Sequence, residues 1–465
     1  MKKLFAFLTI TLGLLSCSES SSPEYRIELV SQGNVLGFQG ATLPQPIIAK
    51  VVSESGEAQS GIDVIPFVKN GGGFIESAST TSDANGLVTV NWQLGEALSQ
   101  GLQISLKDNS KVFVTVTARA KYSYKQPATE QDGWIIGDVE ELSDEQRSLI
   151  FNGIDRLRND EFPEVHSVVV MHKRKLVLEE YYDGTDSNGN FIEWDRFTKH
   201  EIQSASKSFR SMLVGIAIEK GFVEGVDVPF YSFFPAFDNL KDEEQKGEIT
   251  LDHVLTMSAG FDWDEWSFPF GHASNNLSTM YAMPSSQWVP YVLGLPMKYV
   301  PGSTFAYSTG TSLMLANVIS NSIDTDLRSF TREYYSDLVE GTPVNDPNGN
   351  RMTPREMAKM GYLYLYDGKW KDNQVVSTDW IEKSITPRFE NINTSGGYGY
   401  QWWLKTFSTS KKGYDCYYAS GNGGQFVVVN KELDLVVVFT GGNFGSAQMF
   451  DILNWMEDHI FSAYE

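Results

Sequence analysis

Only two of the 465 residues are cysteines, Cys17 and Cys416. That is too few for a disulfide framework or a cysteine-rich zinc site, so the fold must be held by its apolar core. Basic residues are scarce as well: 37 Lys and Arg against 59 Asp and Glu leave a formal net charge of −22. A field of that sign repels phosphate backbones and no basic run interrupts it, which argues against nucleic acid as a partner. No apolar run reaches the ~20 residues of a membrane-spanning helix. Also missing are a Gly-x-Ser-x-Gly elbow and a Gly-x-x-x-x-Gly-Lys-Ser/Thr phosphate loop, and His200-Glu201 is followed by Ser204 where a zinc motif needs a second histidine. His166 and His172, six residues apart, are expected on one face of a strand as packing residues. No metal and no cofactor are expected.

What is present is 41% hydrophobic residues over a length that allows two or three domains at about 150 residues each. Lys2 and Lys3 precede an apolar run from Leu4 to Leu15, the pattern of an export signal. The run ends in Leu14-Leu15-Ser16-Cys17, which resembles a bacterial lipobox. That resemblance implies a diacylated Cys17 as the new N-terminus, membrane lipid as a partner, and, from Ser18 in the next position, the outer membrane; a periplasmic location is the alternative. Residues 1–22 are thus read as lipoprotein signal and tether, Ser18 to Pro23 being polar and flexible.

From 23 to 122 the sequence alternates short β runs, such as 47–52, 64–68 and 112–116, with Gly- and Asn-rich turns. Regular short strands of this kind predict an all-β sandwich. The series Thr80-Thr81-Ser82-Asp83-Ala84-Asn85-Gly86 followed by Leu87-Val88-Thr89-Val90-Asn91-Trp92 resembles the bacterial immunoglobulin-like modules of invasin type. No catalytic cluster falls there, and a spacer role is expected. Residues 123–132 lack periodicity and read as a linker. Residues 133–465 read as one mixed domain. Ser143 with Gln146 forms a capping box before a helix; hairpins are expected at 166–181 and 425–440; helices lie between them; and Met449, Ile452, Leu453, Met456 and Ile460 mark a last amphipathic helix. Strands from both ends of the segment predict an α+β domain with a largely antiparallel sheet and flanking helices.

Chemistry concentrates at Gln203-Ser204-Ala205-Ser206-Lys207-Ser208-Phe209, which opens a helix whose Phe209, Met212, Leu213, Ile216 and Ala217 form one apolar stripe ending at Gly221. Ser204 and Lys207 share a face. A serine hydroxyl is a weak nucleophile until a base takes its proton, and an amine one turn away can do so if burial lowers its pKa. The motif alone is weak, since Ser408 to Lys411 repeats it in a polar turn.

Three later segments, "LTMSAGFDWDE", "PGSTFAYSTG" and "ASGNGGQ", follow Ser204 in order. With "SASKSF" they make residues 133–460 resemble the β-lactamase-like serine hydrolases, a family spanning class C β-lactamases, penicillin-binding proteins, family VIII esterases and 6-aminohexanoate-dimer hydrolases, the last branch being most similar. The resemblance implies a β-lactamase/transpeptidase-like fold. It also implies Ser204 as acylated nucleophile, Lys207 as proton acceptor, Tyr307 as second member of the base system, and an oxyanion hole from the backbone N–H groups of Ser204 and Asn422. A tyrosinate at Tyr307 stabilised by Lys207 is a reasonable expectation, because a neighbouring cation lowers a phenol's pKa.

Two departures bear on substrate. Tyr307-Ser308-Thr309 lacks the amide of the Tyr-x-Asn found in many β-lactamases, and Ala419-Ser420-Gly421 stands where they carry Lys-Thr-Gly, so no cation awaits a β-lactam carboxylate. Lys405-Thr406-Phe407 is a near miss leading into a polar turn. A small ester or linear amide is therefore the expected substrate, cleaved by an exported serine hydrolase. The alternatives are penicillin-binding or D-amino-acid peptidase activity, or a non-catalytic surface binding protein that keeps the fold. Trp266, Gly421 and Gly423 are expected in the substrate pocket; Phe261, Trp263, Trp288, Trp402, Trp403, Tyr417 and Tyr418 are candidates for its wall, most of them being expected as core or rim; Asp264 and Glu265 are read as solvated surface acids.

Overall fold

The computed structural model describes residues 24–243, 245–341, 349–392 and 396–465. The export signal and Cys17 lie outside the described residues. Between Ser123 and Tyr124 the chain divides into two compact units.

The first unit consists of eight strands: β1 (Tyr25–Leu29), β2 (Asn34–Phe38), β3 (Ile47–Ser53), β4 (Val64–Asn70), β5 (Phe74–Ala78), β6 (Leu87–Gln93), β7 (Ser99–Leu106) and β8 (Phe113–Lys121). They form two four-stranded sheets, ordered β1-β3-β6-β5 and β2-β8-β7-β4. Alternation makes the core: in β6, Val88, Val90 and Trp92 are buried while their neighbours are half-buried. These residues join Val51 from the same sheet and Leu102, Ile104, Val116 and Ala118 from the other in one apolar cluster, so the two sheets pack as a sandwich. The turn before β6 is fixed by Asp83, whose Oδ1 accepts the N–H groups of Asn85 and Leu87 at 2.8 Å each. Gly86 supplies the positive φ of 77° that the turn requires.

The second unit is built on an eight-stranded sheet. Its strands are β9 (Ile135–Ile136), β10 (Val165–His172), β11 (Lys175–Tyr181), β12 (Gly397–Tyr398), β13 (Trp403–Ser408), β14 (Gly413–Gly421), β15 (Gln425–Asn430) and β16 (Leu435–Gly441). The order is β12-β13-β14-β15-β16-β10-β11-β9, antiparallel except for the β9–β11 pair. Both expected hairpins are present as β10–β11 and β15–β16. Ser143 closes the expected capping box on helix α1 (Asp144–Arg158). The last amphipathic stretch begins as a helix at Asp451–Met456, whose Trp455 donates to the Gly153 carbonyl of α1 at 2.9 Å. Three further helices set the site: α2 (Ser206–Glu219), α3 (Thr309–Ser322) and α4 (Pro354–Leu365). In α4, Gly361 has no room for a side chain, since a Cβ would meet Val436 at 2.5 Å and Val427 at 2.8 Å. That absence brings the helix down onto β15 and β16.

Two expectations change. A register shift between Val165 and Ser167 in the β10–β16 pairing separates His166 from His172. His166 stacks on Trp194 at 5.0 Å and approaches His200 at 5.3 Å, whereas His172 rests against Tyr464 at 4.4 Å. The stretch read as a linker, 123–132, has no regular secondary structure, but from Tyr124 onward it is fastened to the second unit. Tyr124 Oη donates to the Val177 carbonyl at 3.0 Å, and Ala128 N–H to Glu179 at 2.9 Å. Arg355 donates to the Ala128 carbonyl at 2.7 Å and to Asp132 at 2.9 Å. The cause is a long-range ion pair: buried Arg355 grips buried Glu179 through two bonds of 2.8 Å. Burial favours a neutral Glu179 carboxyl, but the Arg355 hydrogen bonds and charge outweigh it and hold the group below the usual carboxylate range.

Removing one partner of such a pair leaves the other charge buried and alone. Glu179→Ala is expected to destabilise the second unit by about 3–5 kcal/mol, read as a lower denaturation midpoint in urea at neutral pH. An unchanged midpoint would show that the pair is replaceable by water.

Candidate active site

The serine arrives on a strained turn. Ile202, at the end of a short strand, is followed by a 3₁₀ turn over Gln203–Ala205 and then by α2. Gln203 takes a φ of 51°, a region that residues other than glycine rarely visit. The turn presents a half-buried Ser204, while the apolar stripe of α2 behind it, Phe209, Met212, Leu213 and Ile216, is sealed in the core. Lys207 is drawn in with that helix and is 3% exposed. Its Nζ lies 2.8 Å from Ser204 Oγ in a hydrogen bond. Burial pushes its pKa down to about 7, against the pull of the Glu265 carboxylate, which favours the charged form. Near neutral pH this amine can therefore accept a proton.

Tyr307 comes from the loop that leads into α3. Two contacts pin that loop to the "LTMSAG" segment: Ala306 N–H donates to the Met257 carbonyl at 2.7 Å, and Ser308 N–H to Met257 Sδ at 3.3 Å. Ser308 then caps α3 by accepting from Thr311 N–H. The Tyr307 ring lies 4.9 Å from Lys207 Nζ, with Trp266 at 5.1 Å and Trp403 at 6.0 Å. Burial raises its pKa and the Glu265 charge raises it further, while a hydrogen bond with Ser204 opposes them. The expected tyrosinate is thus corrected to a neutral phenol. The physical reason is that the cation it was to lean on is itself desolvated, and a carboxylate stands nearby.

That carboxylate is the residue that sequence reasoning misplaced. Glu265 faces inward. Its Oε2 accepts Trp263 Nε1–H at 2.7 Å and Thr309 N–H at 2.8 Å, and its Oε1 accepts the Thr309 hydroxyl at 2.9 Å. Thr309, at the position where an asparagine amide was missed, is committed to this pair. Only the spacing of 44 residues along the chain separates the partners, and no local pattern marks them. Its neighbour Asp264 is a turn cap that accepts from the Trp266 and Ser267 N–H groups.

The end of β14 closes the site from the other side. A Cβ on Gly421 would lie 2.2 Å from the Ile202 carbonyl oxygen and 3.1 Å from Ala205 N, so glycine is required for the strand to pass the Ser204 turn. Asn422 follows at once; its Oδ1 accepts Gly445 N–H at 2.8 Å. Gly423, with φ 92°, is turned toward the loop beyond β16, its carbonyl accepting Asn443 N–H at 3.0 Å and its missing side chain leaving space for Phe444. Of the candidate wall, Trp266 and Trp403 flank Tyr307. Trp402 and Tyr417 belong to the core with Phe261 and Trp263, Trp288 packs on Tyr281, and Tyr418 packs on Phe407. Lys405 pairs opposite Cys416, five residues along β14 from Gly421, and Lys411 of the second Ser-x-x-Lys pairs with Glu465 at 3.0 Å. Among the described residues no group of three His, Cys, Asp or Glu side chains is placed to hold a metal.

Residues 161–342 match the family model described as Beta-lactamase. A curated relative, an uncharacterized protein of Alkalihalophilus pseudofirmus, is 21% identical over 309 residues, 62% of this chain and 86% of its own length. Among solved structures, simvastatin synthase from Aspergillus terreus is similar with a TM-score of 0.53 at 14% identity, over 70% of this chain and 100% of that one. A protein provisionally described as a 6-aminohexanoate-dimer hydrolase, from Bacillus anthracis, gives 0.52 at 18% identity, over 67% of this chain and 81% of that one. A hydrolase with promiscuous acyltransferase activity, EstCE1, gives 0.53 at 13%, over 68% and 100%. These likenesses establish an α+β fold of the β-lactamase/transpeptidase kind for the second unit.

A base with a pKa of about 7 is competent above that value and lost below it. The rate at which a small fluorophosphonate modifies Ser204 should therefore rise with pH through about 7 and then level off. Glu265→Gln removes the charge that favours the ammonium, so the midpoint should move to lower pH; a midpoint that stays in place would mean that Glu265 does not act on Lys207.

Proposed function

Since residues 161–342 carry a domain of the β-lactamase family, generally one of serine hydrolases, we propose that this protein is a serine hydrolase that cleaves a small ester or linear amide through an acyl-enzyme on Ser204. The observation that carries this reading is the 2.8 Å contact between Ser204 Oγ and an amine whose burial brings its pKa to about 7. In the first step Oγ attacks the substrate carbonyl carbon while its proton passes to Lys207 Nζ. The oxyanion that forms is held by the backbone N–H groups of Ser204 and Asn422, each worth about 3 kcal/mol in comparable sites. Gly421 supports this role by letting β14 run beside the serine turn. Collapse breaks the bond to the alcohol or amine leaving group. Tyr307, a neutral phenol, gives that group its proton and is replenished from the Lys207 ammonium. Water then attacks the acyl-enzyme by the reverse proton path, restoring Ser204. No cofactor enters any step.

Substrate preference follows from what lines the end of β14. The strand offers Ala419-Ser420-Gly421 beside the serine turn and Lys405 stands five residues away, so the strand end itself gives a substrate carboxylate no cation. This favours uncharged esters and amides over β-lactams and D-amino-acid peptides. We further propose that the protein is exported and held on a membrane, in the outer membrane or facing the periplasm, through lipid on Cys17, with the immunoglobulin-like sandwich as spacer. The lipobox-like sequence and the tether after it support this; among the described residues no helix is long and apolar enough to cross a membrane.

Treatment with a fluorophosphonate followed by intact-mass measurement should give one adduct that disappears in Ser204→Ala and persists in Ser408→Ala. Ester turnover should fall at least about 10⁴-fold in Ser204→Ala and about 10²–10⁴-fold in Tyr307→Phe. Labelling of Ser204 by a fluorescent penicillin with no ester turnover would instead favour the peptidase reading, and no adduct on folded protein would favour a binding protein.

A further inference from the structure

The segment that follows Glu265 exposes large apolar side chains in unusual density. Trp266 is 65% exposed, Phe268 39%, Phe270 71% and Tyr281 45%, all within sixteen residues of chain. Scattered exposed apolar residues are ordinary on a protein surface, but a concentrated patch marks a binding face. This one is not loose. Asn275 Nδ2 donates to the carbonyls of Glu265 at 3.0 Å and Phe268 at 2.9 Å, while its Oδ1 accepts Ser278 N–H at 2.9 Å. Ser278 Oγ accepts Gly271 N–H at 2.7 Å, and the backbone of Asp264 and the side chain of Asn276 are joined at 2.8 Å.

One edge of the patch lies at the reactive centre, and Tyr281 is near enough to Tyr307 to act on its proton affinity. The Trp266 ring lies 5.1 Å from that of Tyr307. Tyr281 packs between Phe270, at 6.4 Å, and Trp288, at 5.3 Å, and feels the charges of Arg210 and Glu265. Phe270 and Tyr281 line a groove of about 620 Å³ together with His272, Ala273, Ala282 and Met283, and Ser278 and Thr279 are its hydroxyl-bearing residues. Among the described residues no Asp, Glu, Lys or Arg lines it. A charged group placed there would lose its hydration without a partner, whereas a hydrocarbon group would be removed from water against aromatic walls.

We propose that the groove lined by Phe270 and Tyr281, on the segment that also carries Trp266, is the subsite for an aromatic or extended alkyl group of the substrate. The inference rests on the ester and amide reading above and narrows it to hydrophobic esters and amides. The group can belong to the acyl part or to the leaving alcohol or amine, and substrate series separate the two. Phe270 and Tyr281 are the residues to change, because both side chains reach solvent and Ser204, Lys207 and Tyr307 are left in place.

The test compares 4-nitrophenyl octanoate with 4-nitrophenyl acetate for the acyl side, and 2-naphthyl acetate with ethyl acetate for the alcohol side. It is run on the protein and on Phe270→Ala and Tyr281→Ala. In one series the ratio of kcat/KM for the large over the small ester should fall about tenfold in both variants, the scale on which apolar pockets discriminate. The series that shows the fall assigns the side. Modification of Ser204 by a small fluorophosphonate, measured in parallel, reports whether the nucleophile is armed. Ratios unchanged in both series, with that modification intact, would overturn the groove alone. Absence of the modification in the unsubstituted protein would overturn the hydrolase reading and this inference with it.

Discussion

The buried amine of Lys207 sets the terms for the rest of the site. An ammonium in water is strongly hydrated, and folding places this one where it is 3% exposed, on a helix whose other face is core. Its charged form is thereby disfavoured. The consequence reaches in two directions. Toward Ser204, a neutral amine 2.8 Å away is a base where an ammonium would be only a hydrogen-bond donor. Toward Tyr307, a weakly charged neighbour no longer pulls the phenol toward ionisation, so the phenol keeps its proton. Burial thus divides the labour between two groups that in water would both be protonated at pH 7.

Glu265 works against that burial, and its position explains how both can persist. Its carboxylate is held by Trp263 and by two donors of Thr309, so it is fixed at the start of α3. The bonds fasten the loop carrying Trp266 to the helix that follows Tyr307, and the same charge limits how far burial lowers the Lys207 pKa. One residue therefore couples the geometry of the loop to the proton affinity of the base. The apolar groove lined by Phe270 is built on the same segment, so the groove and the strength of the base share a support.

The pattern of apolar residues made much of the fold legible in advance. Period-two runs gave strands of the sandwich, where alternate residues are buried, and unbroken apolar runs gave both hairpins of the second unit, whose strands are buried on both faces. The α2 stripe and the Ser143–Gln146 box were equally plain, since their signals span only a few residues. Less legible were contacts that close over long stretches. The 123–132 segment carries no periodicity, and its docking depends on Arg355 finding Glu179 176 residues away. The His166–His172 pair was placed on one face because a regular strand would do so; a bulge has no clear sequence signature and re-aims the side chains beyond it.

By itself, the sequence determined the identity of the candidate nucleophile and its lysine, their spacing of three residues, the order of the motifs, and the Ala419-Ser420-Gly421 that stands in place of a lysine at the end of β14. These depend on residue type and on spacings within a helical turn or a strand, which local geometry fixes. Only the tertiary structure decided which form of each group prevails, because proton affinity depends on burial and on charges brought from distant segments. It turned Glu265 from an apparent surface acid into an anchored neighbour of the base, kept Tyr307 a phenol, and moved Gly423 toward Asn443 while leaving Gly421 against the serine turn. Desolvation and long-range electrostatics belong to the packed chain, and no stretch of sequence carries them alone.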